Sequence, residues 1–219
     1  MRTKINNITL NYEVSGQGQP IILLHGNGED HRIFDVLTKQ LSENKFNVYA
    51  IDSRGHGKST QIDELSYLLM ADDIVKFIKI NQIEKPILYG FSDGGIIGLL
   101  IACHYSTLLS KLIISGANSN PKALIWYWQV WFRIHYFFTR SAKTKLMMRE
   151  PNITKNELNK IEIPTLILAG EKDIVKETDT RFIADNIKNG ELRILPNENH
   201  SSYVAHSPKL YEVIKDFLK

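Results

Sequence analysis

The sequence predicts an α/β protein built on a mainly parallel β-sheet. Short β-rich runs alternate with longer amphipathic ones along the chain, the pattern of strands joined by helical crossovers. Most of the short runs are continuously apolar, as strands covered on both faces are. Composition agrees: of 219 residues, 43% are hydrophobic and 23% charged, which sets disordered, collagen-like and coiled-coil chains aside.

The elements follow in order. Residues 8–14 alternate apolar and polar like an edge strand of an antiparallel hairpin, with residues 15–20, rich in Gly and Ser, as its turn. Residues 21–24, 48–51, 86–89, 112–114, 165–169 and 192–195 are the buried strands. Between them Phe34, Leu37 and Leu41 share one helical face, and Ile74, Phe77 and Ile78 another. Residues 94–105 are apolar nearly all round, so their helix is buried. Phe182, Ile183 and Ile187 mark a further helix, and Leu210, Val213, Ile214, Phe217 and Leu218 the last.

One stretch breaks this rhythm. Residues 117–160 contain no strand-like run, hold all 3 Trp of the chain and interleave aromatics with Arg and Lys. They are read as a helical cap inserted into a single domain spanning 1–219. Placement between two sheet strands favours a lid over a pocket. A second layer that merely packs, or a membrane-surface helix, is the less favoured reading. Trp126, Trp128, Trp131 and Phe132 are the candidate substrate-contacting residues.

Charge and cysteine usage narrow the partners. Twenty-seven Lys+Arg against 24 Asp+Glu give a net charge of +3, without the basic stripe that nucleic acid would demand. A single cysteine, Cys103, rules out an intrachain disulfide framework and a Cys-rich metal site. Arg2 and Lys4 are followed by no apolar stretch resembling a signal peptide, and no apolar run reaches the roughly 20 residues of a membrane span. The expectation is a cytoplasmic protein with a small-molecule substrate and no nucleic-acid or membrane partner. A homodimer is left open. Abundant Lys and Ile suggest a bacterial source.

The chemistry centres on Gly90-Phe91-Ser92-Asp93-Gly94-Gly95, which follows an apolar strand and opens the buried helix. In that setting G-x-S-x-G reads as a nucleophile elbow, a strained turn crowded enough to need small neighbours. A serine hydroxyl needs a base, and the base an orienting acid. Downstream, Asp173 follows the strand at 165–169 and His200 the strand at 192–195, at the sheet edge where catalytic groups gather. Glu171 and Asp179 are weaker candidates for the acid; His206, His104 and His135 are weaker for the base. The oxyanion requires two backbone donors: Asp93 supplies one by position, and Asn27, in His25-Gly26-Asn27-Gly28, is the favoured second. The stretch from Asp52 to Ser59 also holds an Asp, a Ser and a His, but its glycines read as turn chemistry and it is taken as structural.

Taken together, the His25–Gly28 segment, the 52–59 loop, Gly90–Gly95, Asp173 and His200 resemble, in order and spacing and over nearly the whole chain, the α/β-hydrolase superfamily. The resemblance implies a mostly parallel eight-stranded sheet with a variable lid after the sixth strand, where residues 117–160 fall. It implies Ser92 as nucleophile, His200 as base, Asp173 as orienter, and the N–H groups of Asn27 and Asp93 as the oxyanion hole, with no metal or organic cofactor. Haloalkane dehalogenases and soluble epoxide hydrolases look similar but carry Asp at the elbow. The Gly90–Gly95 segment followed by Gly116-Ala117-Asn118 is similar to the biphenyl-hydrolase-like branch, which includes hydrolases of amino-acid esters. The implied activity is cleavage of a small carboxylic ester through an acyl-enzyme. Hydrolysis of C–C bonds in dienoic ring-cleavage products and ligand reception with little turnover are the alternatives. The Asp93 carboxylate is read either as a helix-capping charge or as a site for a substrate amine.

Overall fold

The computed structural model describes residues 1–219. Eight strands form one sheet: β1 (Arg2–Ile5), β2 (Ile8–Ser15), β3 (Gln19–Leu24), β4 (Phe46–Ile51), β5 (Ile87–Phe91), β6 (Lys111–Ser115), β7 (Thr165–Lys172) and β8 (Gly190–Asn199). Their order across the sheet is β1-β2-β4-β3-β5-β6-β7-β8. β1–β2 and β2–β4 pair antiparallel and all later pairs are parallel. This is the α/β-hydrolase sheet that the resemblance implies.

One expectation is corrected. Residues 15–20 do not close a hairpin, because β2 lies between β1 and β4 and never pairs with β3. The hairpin turn is instead at Asn6-Asn7, with Asn6 at φ 54, a left-handed conformation that Asn adopts at low cost. β1 escapes a sequence reading because an outer strand with only Ile5 buried has no two-sided apolar run to announce it.

Helices cover both faces. α1 (Asp35–Glu43) and α8 (Lys209–Leu218) share one face of the sheet, where Leu37, Leu41, Leu210 and Ile214 meet Leu23, Val48 and Tyr89. On the other lie α2 (Tyr67–Ile80), α3 (Asp93–His104) and α7 (Glu177–Asp185). Every residue of α3 except His104 is buried, so its apolar surface all round is matched by neighbours all round. Each large side chain so buried is worth roughly 1.5–3 kcal/mol. Gly98 lets α3 approach closely, since a Cβ there would stand 2.8 Å from Leu112 and 2.9 Å from Leu88. Cys103 lies on this helix, and burial pushes its thiol up to about 12, an inert core group.

Between β6 and β7 run α4 (Trp126–Thr139), α5 (Ala142–Arg149) and the short α6 (Lys155–Leu158). α4 and α5 sit over the sheet edge through Leu124, Phe132 and Val175, with Trp128, Met147 and Ile174 packed around them.

Candidate active site

The topology does most of the positioning. β5, β7 and β8 are parallel, and each is followed at once by a candidate residue: Ser92, Asp173 and His200. Parallel strands end on one side, so all three emerge at the same rim. There His200 Nε2 lies 3.2 Å from Ser92 Oγ, and His200 Nδ1 lies 2.7 Å from Asp173 Oδ1. The structure thus brings together the three side chains that the sequence singled out, 108 residues apart at the extreme.

Ser92 is held in the conformation an elbow requires, with φ 52 and ψ −112, strained for a residue bearing a Cβ. Its N–H donates to Ser115 O at 2.7 Å. The small neighbours are needed sterically: a Cβ on Gly90 would fall 2.2 Å from Gly94 O, and one on Gly94 2.1 Å from Leu24 O.

Asp173 is fixed by the N–H groups of Val175 at 3.0 Å and Gly170 at 3.4 Å, so its carboxylate faces His200 without side-chain help. Glu171, the rival acid, is exposed and accepts from Asn197 N–H. Asp179 is taken up by Ser119. Among the rival bases, His206 pairs with Asp35 on the surface and His104 lies 3.9 Å from Glu157. His135 lines the large cavity described below, stacked on Trp131 with centroids 4.9 Å apart.

The loop after β3 lies against the elbow. Asn27 Nδ2 donates to Asp93 Oδ2 at 2.8 Å, tying the two proposed oxyanion donors together through their side chains. The ring of His25 anchors the loop from behind: Nε2 accepts from Ser53 N–H at 3.0 Å, which leaves Nδ1 to donate to Gly26 O at 2.7 Å. Burial lowers the pKa of this ring, which keeps it neutral and preserves that tautomer. Glu29 accepts from Gly26 N–H, and burial raises its carboxyl.

Asp93 is the acidic first residue of α3, where a negative charge is favoured, but its hydrogen bonds go to side chains rather than to the helix backbone. The residue is 4% exposed, and its carboxylate accepts from Tyr67 O–H at 2.7 Å as well as from Asn27. Burial raises its pKa against those two hydrogen bonds. Tyr67 was not anticipated, because a tyrosine at a helix start gives no sign of a partner 26 residues away.

Gly116, which the sequence marks only as part of a family resemblance, has a steric role beside His200. His200 must reach from β8 back to β5, over the end of β6. Gly116 follows β6 at φ +61, and a Cβ there would stand 2.7 Å from His200 Cε1.

Two spaces meet at Ser92 and His200. One, of about 20 Å³, is lined by Tyr67, Asp93, Asn118, Phe132 and Met147 among others. The second, of about 390 Å³, lies between the Gly26–Glu29 segment and the cap, where Trp131, Phe132 and His135 face it. Of the four aromatic residues expected to contact substrate, Phe132 and Trp131 line these spaces and two do not. Trp126 is 72% exposed, and Trp128 packs on the Leu124–Phe132–Val175 layer away from both spaces. The 3.6-residue period explains this: only one stripe of α4 faces the protein, and it is centred on Phe132.

Comparison with known proteins defines the class. Residues 19–146 match the family model described as alpha/beta hydrolase fold, and the chain belongs to that family. Among curated relatives, the human serine hydrolase BPHL is 26% identical over 251 aligned residues, covering 100% of this chain and 86% of that protein. The esterase EaEST from Exiguobacterium antarcticum superposes with a TM-score of 0.84 at 21% identity, over 96% of each chain. The meta-cleavage product hydrolase CumD from Pseudomonas fluorescens IP01 does so with a TM-score of 0.80 at 18% identity, over 96% of this chain and 94% of that one.

Proposed function

We propose that the protein hydrolyses small carboxylic esters through an acyl-enzyme. The observation that carries this is the continuous hydrogen-bonded path Ser92–His200–Asp173, open to a cavity. Ser92 Oγ attacks the ester carbonyl while His200 Nε2 takes its proton. The N–H groups of Asn27 and Asp93 receive the oxyanion. His200 returns the proton to the departing alcohol, then draws one from the water that releases the acid. Asp173 keeps the imidazole in the required tautomer throughout. Residues 117–160 serve as the cap that bounds the alcohol and acyl sites.

The unequal spaces at Ser92 support a substrate with one small side. Asp93 lines the smaller one, which has room for about one water molecule, so an amino-acyl ester seated in the larger space extends only its ammonium towards Asp93. Dry surroundings strengthen such an ion pair.

Burst kinetics with p-nitrophenyl esters of graded acyl length, beside glycyl and alanyl esters, test the reading. Short acyl chains are expected to be preferred and the burst to vanish in Ser92→Ala; full turnover by that variant overturns the mechanism. Asp93→Asn is expected to raise KM for aminoacyl esters alone, and equal losses on simple esters remove the amine role. Turnover of a vinylogous diketone in place of every ester would move the reaction to C–C cleavage.

A further inference from the structure

α4 turns an apolar face outward. A surface helix ordinarily buries its apolar stripe. Here Phe132 is buried and Trp128, His135 and Tyr136 are half-buried. On the opposite side Trp126, Tyr127 and Val130 begin an exposed face that Ile134, Phe137 and Phe138 continue, with Phe138 77% exposed. With Trp131, seven of the 13 large apolar side chains exposed anywhere in the protein lie on this helix of 14 residues. Single exposed apolar residues need no account, but a contiguous aromatic face about 18 Å long does.

Charge indicates what covers it. The near balance of the whole chain hides a segregation, since no acidic residue occurs between Asp93 and Glu150. Residues 117–149 carry Lys122, Arg133, Arg140, Lys143, Lys145 and Arg149, leaving 21 cations against 24 anions elsewhere. Arg133 stands within the exposed face, and Arg140 lies 5.4 Å and 5.7 Å over the rings of Tyr136 and Phe137. Two such faces meeting would press Arg133 and Arg140 of one copy against those of the other, which disfavours a symmetric pair of copies. An anionic lipid surface complements both features: aromatic rings settle at headgroup depth while Arg and Lys meet the headgroups.

We propose that α4 and its basic surroundings dock the protein on anionic membranes, with the helix lying in the interfacial plane. No helix is long and apolar enough to cross a bilayer, so the attachment is peripheral. The sequence-based expectation of no membrane partner is revised accordingly. Trp131 belongs to the exposed face and also lines the cavity beside Ser92, so docking sets that cavity at the lipid interface. The proposal stands independently of which bond is hydrolysed.

The three tryptophans of the chain, Trp126, Trp128 and Trp131, all lie on α4, so selectively excited tryptophan fluorescence reports on this helix alone. Flotation and fluorescence of the full chain with vesicles of phosphatidylglycerol and phosphatidylcholine in equal parts, against phosphatidylcholine alone, form the test. The expected result is flotation with the anionic vesicles, a blue shift quenched by brominated lipid, and weakening by salt. Arg133→Gln and Arg140→Gln should each lower partitioning about fivefold. The combined Trp126→Ser, Phe137→Ser and Phe138→Ser variant should lose it while keeping its rate on a soluble activated ester. If that variant folds poorly, the two arginine variants carry the test. Absence of flotation and shift with anionic vesicles overturns the proposal, as does equal binding to both compositions. A dimer in sedimentation velocity that the same serine substitutions disperse assigns the face to a second copy instead.

Discussion

Two regions of this molecule bring together an aspartate, a serine and a histidine, and they use them in opposite ways. In the 52–59 loop, Asp52 accepts from Asn11 Nδ2, from both the N–H and the ring of His31, and from Lys58 N–H. Burial pushes its carboxyl up, but the hydrogen bonds from His31 and Lys58 outweigh this and hold it well below the usual range. His56 donates its Nδ1 proton to Arg54 O, its ring is buried, and burial lowers its pKa to about 4. Nearby, Arg54 forms a buried bidentate pair with Asp73 at 2.5 and 2.6 Å. At the other region, Asp173 spends its carboxylate on an imidazole whose second nitrogen is free to reach a serine beside open space. Composition is the same; what differs is where the hydrogen bonds go. Each aspartate accepts from two backbone N–H groups and from a histidine ring. The ring on Asp52 turns its second nitrogen to Glu13, which leaves that aspartate a structural hub, whereas the ring on Asp173 turns its second nitrogen to a serine beside a cavity, which makes it part of a relay.

Substituting the two histidines should separate the regions most sharply. His200→Ala is expected to lower kcat by about 10⁵–10⁶-fold, as loss of the base of a serine triad does, with a thermal midpoint near that of the parent. His56→Ala is expected to do the reverse, retaining activity per folded molecule while losing stability. Ester hydrolysis and thermal melts on both variants check this, and a catalytic loss in His56→Ala would dissolve the distinction. Next in size is Asp52→Ala, which strands at least three buried donors. Removing one partner of such a network costs about 3–5 kcal/mol, and at roughly 2–4 °C per kcal/mol for a chain of this length the midpoint should fall by about 10 °C.

What the sequence made legible follows the same physics. Strands buried on both faces announce themselves as apolar runs, and residues that end parallel strands share a rim by necessity. Ser92, Asp173 and His200 could therefore be picked out from 219 positions. β1 stayed hidden because an exposed edge imposes little pattern on four residues. The facing of α4 stayed hidden because the helix is aromatic on both sides, so its period marks a stripe without saying which stripe is buried. The roles of Tyr67 and Gly116 were illegible for another reason. Their roles exist only through contacts with Asp93 and His200, made across the fold, that no local spacing encodes.

Gly116→Ala tests that last point with a smaller effect. A methyl group there meets the His200 ring at 2.7 Å and sits on a backbone with φ +61. The ring must swing from Ser92 to relieve the contact. Misplacement of about 1 Å costs about 10²-fold in kcat, with KM little altered. A kcat within twofold of the parent would show that His200 has slack and that Gly116 matters only for its φ.

The smallest effect expected is one of pH, and it again sets hub against relay. His31 has its pKa raised chiefly by the hydrogen bond from its ring to Asp52, against burial, with Glu13 adding to the rise at 3.2 Å. A group whose pKa is higher folded than unfolded stabilises fully below its unfolded value, about 6.5. That contribution disappears as pH rises through the folded value. Asp52, shifted down, contributes the opposite way: its stabilisation is present above the ordinary carboxylate range and fades only in acid. Between those limits both contribute, but the buried rings of His56 and His25, lowered by burial, lose stability as pH falls below about 6.5, so the fold should be most stable near neutral pH. The alkaline part is about 1 kcal/mol or less, because Glu13 is exposed and solvent screens its share. Denaturant titrations across this range should show the parent losing stability above about pH 6.5 and His31→Gln showing no such decline. A decline of equal slope in that variant would place the alkaline-sensitive group elsewhere than in this hub.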